Sequence, residues 1–149
     1  MQELYFAYGS NMSSRRLRER LPSARSLGQA SLADHRLATN KPGRDGSGKA
    51  NLVATDGQRA WGVLYAVTVS DWRVLDRFEL DYLRVHCEVV DHQHQRRIAH
   101  FYVWNRLGPE LAPFDWYLAH LVEGAREHGL PRHYIAQLEA WPRRLSRAE

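Results

Sequence analysis

Two sets of residues in this chain have the chemistry to hold a small anionic ligand and move a proton on it. The first is Gly9-Ser10-Asn11, which ends the apolar, aromatic run Leu4-Tyr5-Phe6-Ala7-Tyr8. A strand that feeds a glycine turn and then a helix leaves several backbone N–H groups unpaired and pointing one way. Such a turn binds a carboxylate, or an oxyanion as it forms. Gly9 lets the backbone take φ > 0 and approach a ligand closely. Asn11 can cap the following helix or tie the turn to itself. The plainer alternative is an ordinary strand-to-helix turn with nothing bound.

The second set is the carboxylates Asp76, Glu79 and Asp81. Asp76 and Glu79 are spaced i, i+3 and so share one face of a helix. An acid partly buried beside aromatic residues has its pKa raised from about 4.3, and can then both take and give a proton near neutrality. The alternative is a solvated, acidic helix terminus.

Other chemistries find less support. His92 and His94 lie two apart in a polar turn, but a metal site needs further ligands and an enclosed geometry, so no metal is expected. His120, His128 and His133 fall on helices without a His-Glu-x-x-His pattern and read as surface residues. Ser10 stands in no nucleophile elbow. Cys87 reads as a small buried hydrophobe. The glycines from Gly43 to Gly48 lack phosphate-loop spacing.

The elements that must position these groups follow from periodicity and punctuation. Residues 4–8 read as a buried strand and 13–21 as a short helix stopped before Pro22. Residues 35–39 form a possible strand. Residues 40–49, with Pro42 and three glycines, read as a mobile loop. Residues 50–54 and 60–69 read as two strands joined by a hairpin turn at Asp56-Gly57. Ser70 is expected to cap a helix over 71–78 with Trp72, Leu75 and Phe78 as its apolar stripe. Residues 82–91 alternate, and 96–104 form their hairpin partner. Residues 115–128 predict a helix ended by Gly129 with Pro131 beyond, and 132–141 a last short one. The order suggests an α+β fold around a curled, mostly antiparallel sheet.

Bulk properties narrow the classes further. A length of 149 residues suggests one domain spanning 1–149, and 44% hydrophobic residues with 5 Trp can build a real core. No apolar run reaches the roughly 18 residues of a membrane span, and the amino terminus lacks the pattern of a signal peptide. One cysteine fits a reducing cytoplasm. The net charge of +4 is carried almost wholly by arginine and does not by itself indicate nucleic acid as a partner. The cluster from Arg15 to Arg20 reads as a solvated helix face, with an electrostatic guide for an anionic ligand as the alternative.

Taken together, several blocks resemble the γ-glutamylcyclotransferases and their plant-type, AIG2-like relatives. They are Tyr5-Phe6-Ala7-Tyr8-Gly9-Ser10-Asn11, Trp61-Gly62-Val63-Leu64-Tyr65, Leu75-Asp76-Arg77-Phe78-Glu79, and the stretch from Gly124-Ala125 through Glu127-His128-Gly129-Leu130-Pro131 to Tyr134. The blocks keep the family's order over nearly the whole chain. The resemblance implies a small sheet closing towards a barrel with helices packed around it. It implies cyclisation of a γ-glutamyl amide to 5-oxoproline with release of the amine or amino acid, without metal, nucleotide or other cofactor. Glu79 would be the catalytic acid/base. Gly9, Ser10 and Asn11 would hold a carboxylate or oxyanion, and Tyr8, Tyr82 and Tyr117 would line the substrate pocket. The expected partner is a small γ-glutamyl substrate rather than a membrane or nucleic acid, with homodimer formation left open. Leu80 stands where the family usually has glycine, and Tyr82 follows Glu79 by a shorter segment. Alternatives on the same fold are a γ-glutamylamine cyclotransferase, a tailoring enzyme that removes a γ-glutamyl guard, and a non-catalytic binding protein.

Overall fold

The computed structural model describes residues 2–146. Strand β1 (Gln2–Ala7) runs into a 3-10 turn (Ser10–Met12) and helix α1 (Ser14–Arg20). Two long strands follow, β2 (Arg25–Pro42) and β3 (Gly48–Thr68), then helix α2 (Asp71–Phe78). The hairpin β4 (Leu83–Asp91) and β5 (Arg96–Val103) precedes helices α3 (Asp115–Glu127) and α4 (Arg132–Glu139). The strands form a closed barrel in the order β1-β3-β2-β4-β5. All neighbours are antiparallel except β1 and β5, whose parallel pairing at Tyr5 and His100 closes the ring. The α+β class and the curled, closing sheet are therefore as expected. Inside, Phe6, Leu32, Val63, Leu64, Tyr65 and Phe101 pack with Leu118 and Leu121 of α3 in one core.

Three local expectations give way to a longer hairpin. The strand expected at 35–39 is part of an 18-residue strand, and the expected loop at 40–49 is strand up to Pro42 and again from Gly48. Only a tight turn separates them, with the Gly43 N–H donating to the Ser47 carbonyl at 2.8 Å. Asp56-Gly57 is not a hairpin turn, since β3 continues through it. The ladder steps from Ala33 opposite Arg59 to His35 opposite Ala54, so residues 55–58 form a wide bulge. Asp34 and Gly57 both take positive φ there (59° and 81°), and the Gly57 N–H donates to Asp34 Oδ1 at 3.0 Å. Such a bulge bends and twists the strand, which lets β3 wrap the barrel.

The helix ends differ in detail from the reading. Ser13, not Asn11, caps α1: its hydroxyl accepts from the Arg16 N–H at 3.3 Å. Ser70 makes no capping bond to α2. Thr68 does that work, its Oγ1 accepting from the Asp71 N–H while the Asp71 carboxylate accepts from the Thr68 N–H. Trp72 and Leu75 are buried as expected, but Phe78 is 52% exposed and carries the Arg20 guanidinium 4.3 Å above its ring. His120 is buried and His128 half-buried, against the expectation of a surface position, because α3 lies against the turn after β1. Cys87 is half-buried and packs on the core.

Candidate active site

The turn after β1 is held from several sides and keeps Gly9 at a φ of −109°, not the positive φ expected of it. The Met12 and Ser13 N–H groups close it onto the Gly9 and Ser10 carbonyls at 3.0 and 3.3 Å. Tyr65 donates its hydroxyl to the Met12 carbonyl at 2.9 Å. Ser14 hydrogen-bonds the Glu127 carboxylate through both its N–H and its hydroxyl. Gly124 of α3 sits so close that a Cβ there would stand 2.3 Å from the Met12 carbonyl carbon. With the turn so fixed, the N–H groups of Gly9, Ser10 and Asn11 donate to no protein acceptor among the described residues. Asn11 is buried and locked, donating to the Tyr5 hydroxyl at 3.0 Å and accepting from Arg20.

Glu79 is the C-terminal cap of α2. Its N–H closes the helix onto the Leu75 carbonyl at 3.0 Å, and its own carbonyl accepts from the Tyr82 N–H at 3.0 Å. That short turn carries Tyr82 back beside Glu79. Tyr8, Gly9, Ser10, Asn11, Glu79, Tyr82 and Tyr117 all border one hollow. Tyr5, Phe6, Ala50 and Tyr102 complete its wall and were not anticipated as site residues. Tyr5 and Phe6 stand in the quoted aromatic run, whereas nothing local marks Ala50 or Tyr102. Asp76 stays outside, accepting from the Tyr102 hydroxyl at 2.7 Å with Arg84 beyond it at 3.8 Å. Asp81 is exposed and pairs with Lys41 at 3.1 Å.

The electrostatics single out Glu79. Burial raises its pKa to about 7, against the opposing pull of Arg20, Lys41 and Arg16. A carboxyl group at that value is balanced between accepting and donating a proton at neutral pH. Burial also pushes the Tyr8 and Tyr82 hydroxyls well up, and Tyr117 to about 12, so the phenols keep their protons. Where those protons point follows from their partners. Tyr82 donates to the Ala50 carbonyl at 2.8 Å and Tyr8 to the Tyr102 carbonyl, so both offer lone pairs to the hollow. Tyr117 instead accepts from the Ala50 N–H at 3.0 Å, and its own O–H remains a donor.

The arginine cluster of α1 divides. Arg15 and Arg18 face solvent, whereas Arg16 and Arg20 line a broader basin that opens from the hollow. The expected fully solvated face is thus corrected for these two, whose helical spacing turns them to one side. Among the described residues no three His, Cys, Asp or Glu side chains converge to hold a metal ion, and no helix is long and apolar enough to cross a membrane.

At this end of the barrel, amides without an acceptor among the described residues, a proton-balanced carboxyl group and several phenols meet in one hollow, an arrangement able to take a small anion. The comparisons narrow this class. The model of the AIG2-like family matches residues 59–138. γ-Glutamylcyclotransferases of Homo sapiens and Bos taurus are 30% and 29% identical to the chain over 146 residues, covering 92% of it and 77% of each relative. A solved γ-glutamyl cyclotransferase superposes with a TM-score of 0.93 at 25% identity, covering 100% of this chain and 93% of that one. The chain belongs to the AIG2-like, γ-glutamylcyclotransferase family, and these relatives support a γ-glutamylcyclotransferase-type function for it.

Proposed function

We propose that this chain converts a γ-glutamyl amide to 5-oxoproline and releases the attached amine or amino acid, with Glu79 as general acid/base and no cofactor. The observation that carries this reading is Glu79, its pKa raised to about 7 by burial, in the same hollow as three amide N–H groups that have no protein acceptor among the described residues. Nucleophile and electrophile already belong to one substrate molecule. The enzyme's main work is to hold the flexible glutamyl chain folded, where orientation contributes several kcal/mol.

The substrate α-ammonium gives a proton to Glu79, and the freed amine attacks the γ-carbonyl carbon. A ring C–N bond forms and the carbonyl oxygen becomes an oxyanion. The amide N–H groups of Gly9, Ser10 and Asn11, with the Tyr117 hydroxyl, are the donors for this oxyanion and for the α-carboxylate. Tyr82 and Tyr8, whose protons are committed elsewhere, accept from the α-amine. The old C–N bond then breaks. The ring nitrogen keeps one proton, and the departing nitrogen gains the other two through Glu79, one at a time.

The test is Glu79→Gln. Turnover should fall about a hundredfold or more, with folding and donor binding retained. Asp76→Asn, which touches Tyr102 rather than the hollow, should change turnover far less. Near-normal 5-oxoproline release by the Gln variant would refute the assignment.

A further inference from the structure

The basin outside the hollow is strongly cationic, and its composition points to the chemistry of the group released. It shares Ser10, Glu79, Tyr82 and Tyr117 with the hollow. Arg16, Arg20, Lys41, Arg44, Lys49 and Arg77 line it, against only two carboxylates, Glu79 and Asp81. These cations come from α1, the end of β2, the turn after it, the start of β3 and α2. No short stretch of sequence placed them together; the fold did.

Among the described residues no lysine or arginine lines the inner hollow. With the glutamyl group in that hollow, as the cyclisation reading has it, the departing amine would sit on the side that carries the positive charge. Structural pairing accounts for part of it only. Lys41 is 7% exposed, and its carboxylate partner Asp81 is itself in solvent. Lys49 reaches Asp45 at 3.4 Å and lies over the Trp116 and Tyr117 rings. Arg20 donates to the Asn11 amide and lies on Phe78, neither of which neutralises it. Arg44 and Arg77 are exposed and have no ion pair among the described residues. Holding several cations half out of water is costly unless an anion joins them.

Resting on the cyclisation reading, we propose that the basin selects γ-glutamyl donors whose released amine carries at least two negative charges, as a second carboxylate or as a phosphate ester. Amines with one charge or none leave Arg44 and Arg77 without an anion. A diamine, whose free end is positive, is repelled.

A donor series with one constant γ-glutamyl group tests this. It comprises γ-glutamyl-ethylamide, γ-glutamyl-alanine, γ-glutamyl-aspartate, γ-glutamyl-O-phosphoethanolamine and a γ-glutamyl-diamine, with 5-oxoproline release as the readout. The dianionic donors should exceed the alanine donor in kcat/KM about tenfold, mainly through KM. The advantage should shrink in about 0.5 M salt. The aspartate and phosphate arms show which anion the basin takes. The double variant Arg44→Gln, Arg77→Gln should narrow the ratio of dianionic to neutral donors by several fold. Equal kcat/KM across the series, or a ratio unmoved by that variant, overturns the inference while leaving the cyclisation reading intact. No 5-oxoproline from any donor overturns both.

Discussion

Tyr82 and Tyr117 meet on a single residue. Tyr82 donates to the Ala50 carbonyl at 2.8 Å, and Tyr117 accepts from the Ala50 N–H at 3.0 Å. Ala50 lies where the β2–β3 ladder bulges between Ala38 and Lys41, so the two phenols take the place of a strand partner there. One tyrosine comes from the turn after α2 and the other from α3, which ties three parts of the chain to one wall of the hollow.

Removing either hydroxyl should therefore cost stability as well as function. Tyr117→Phe leaves the buried Ala50 N–H unpaired and should destabilise the fold by about 1–3 kcal/mol. Tyr82→Phe strips the carbonyl and should cost a similar or smaller amount. Because both act on the backbone of one residue, the double variant should depart from additivity by about 0.5 kcal/mol or more. Urea unfolding of the four proteins measures this; strict additivity would show that the two bonds are independent.

Glu79 should make the protein less stable as pH rises. Its pKa is about 4.5 when exposed and about 7 in the fold. Between these values the folded chain holds a proton that the unfolded chain releases. The stabilisation is complete below about 4.5 and is lost as pH rises through about 7, by a total on the order of 3 kcal/mol. Glu79→Gln has no proton to lose and should be more stable than the parent at pH 8, with little difference at pH 4. Denaturant midpoints across this range provide the check.

The same ionisation sets the pH dependence of catalysis. In the proposed role of general base, Glu79 must be unprotonated to start the reaction. With a neutral leaving group, kcat/KM should climb as pH rises towards about 7 and then level off. An ascending limb centred near 4.5 instead would mean that the carboxyl group is hydrated in the working enzyme.

The turn after β1 depends on a glycine more than 110 residues away. A methyl group on Gly124 would stand 2.3 Å from the Met12 carbonyl carbon and 2.5 Å from the Ser13 nitrogen, both backbone atoms that cannot swing aside. Gly124→Ala should cost about 1–3 kcal/mol by overpacking. It should also shift Gly9, Ser10 and Asn11 and raise KM. Gly46→Ala, with nothing near its Cβ but a φ of 81°, should cost stability without that effect on KM.

Features governed by neighbours in the chain were legible from the residues alone. The β4–β5 hairpin follows from strict alternation. The stop of α3 follows from Gly129, whose φ is 64°, and the turn after β1 from Gly9-Ser10-Asn11. Each depends on steric limits within a few residues, which side-chain type reports directly. The long β2–β3 hairpin was not legible, because Gly57 at positive φ has the local chemistry of a turn whether the strand ends there or bulges. Only pairing with residues 33–35 of β2 makes it a bulge. Closure of the barrel, the two phenols on Ala50 and the gathering of six cations around one basin likewise join residues far apart in the chain. The acidity of Glu79 belongs with them, since the sequence names the carboxyl group but only packing decides how much water it loses.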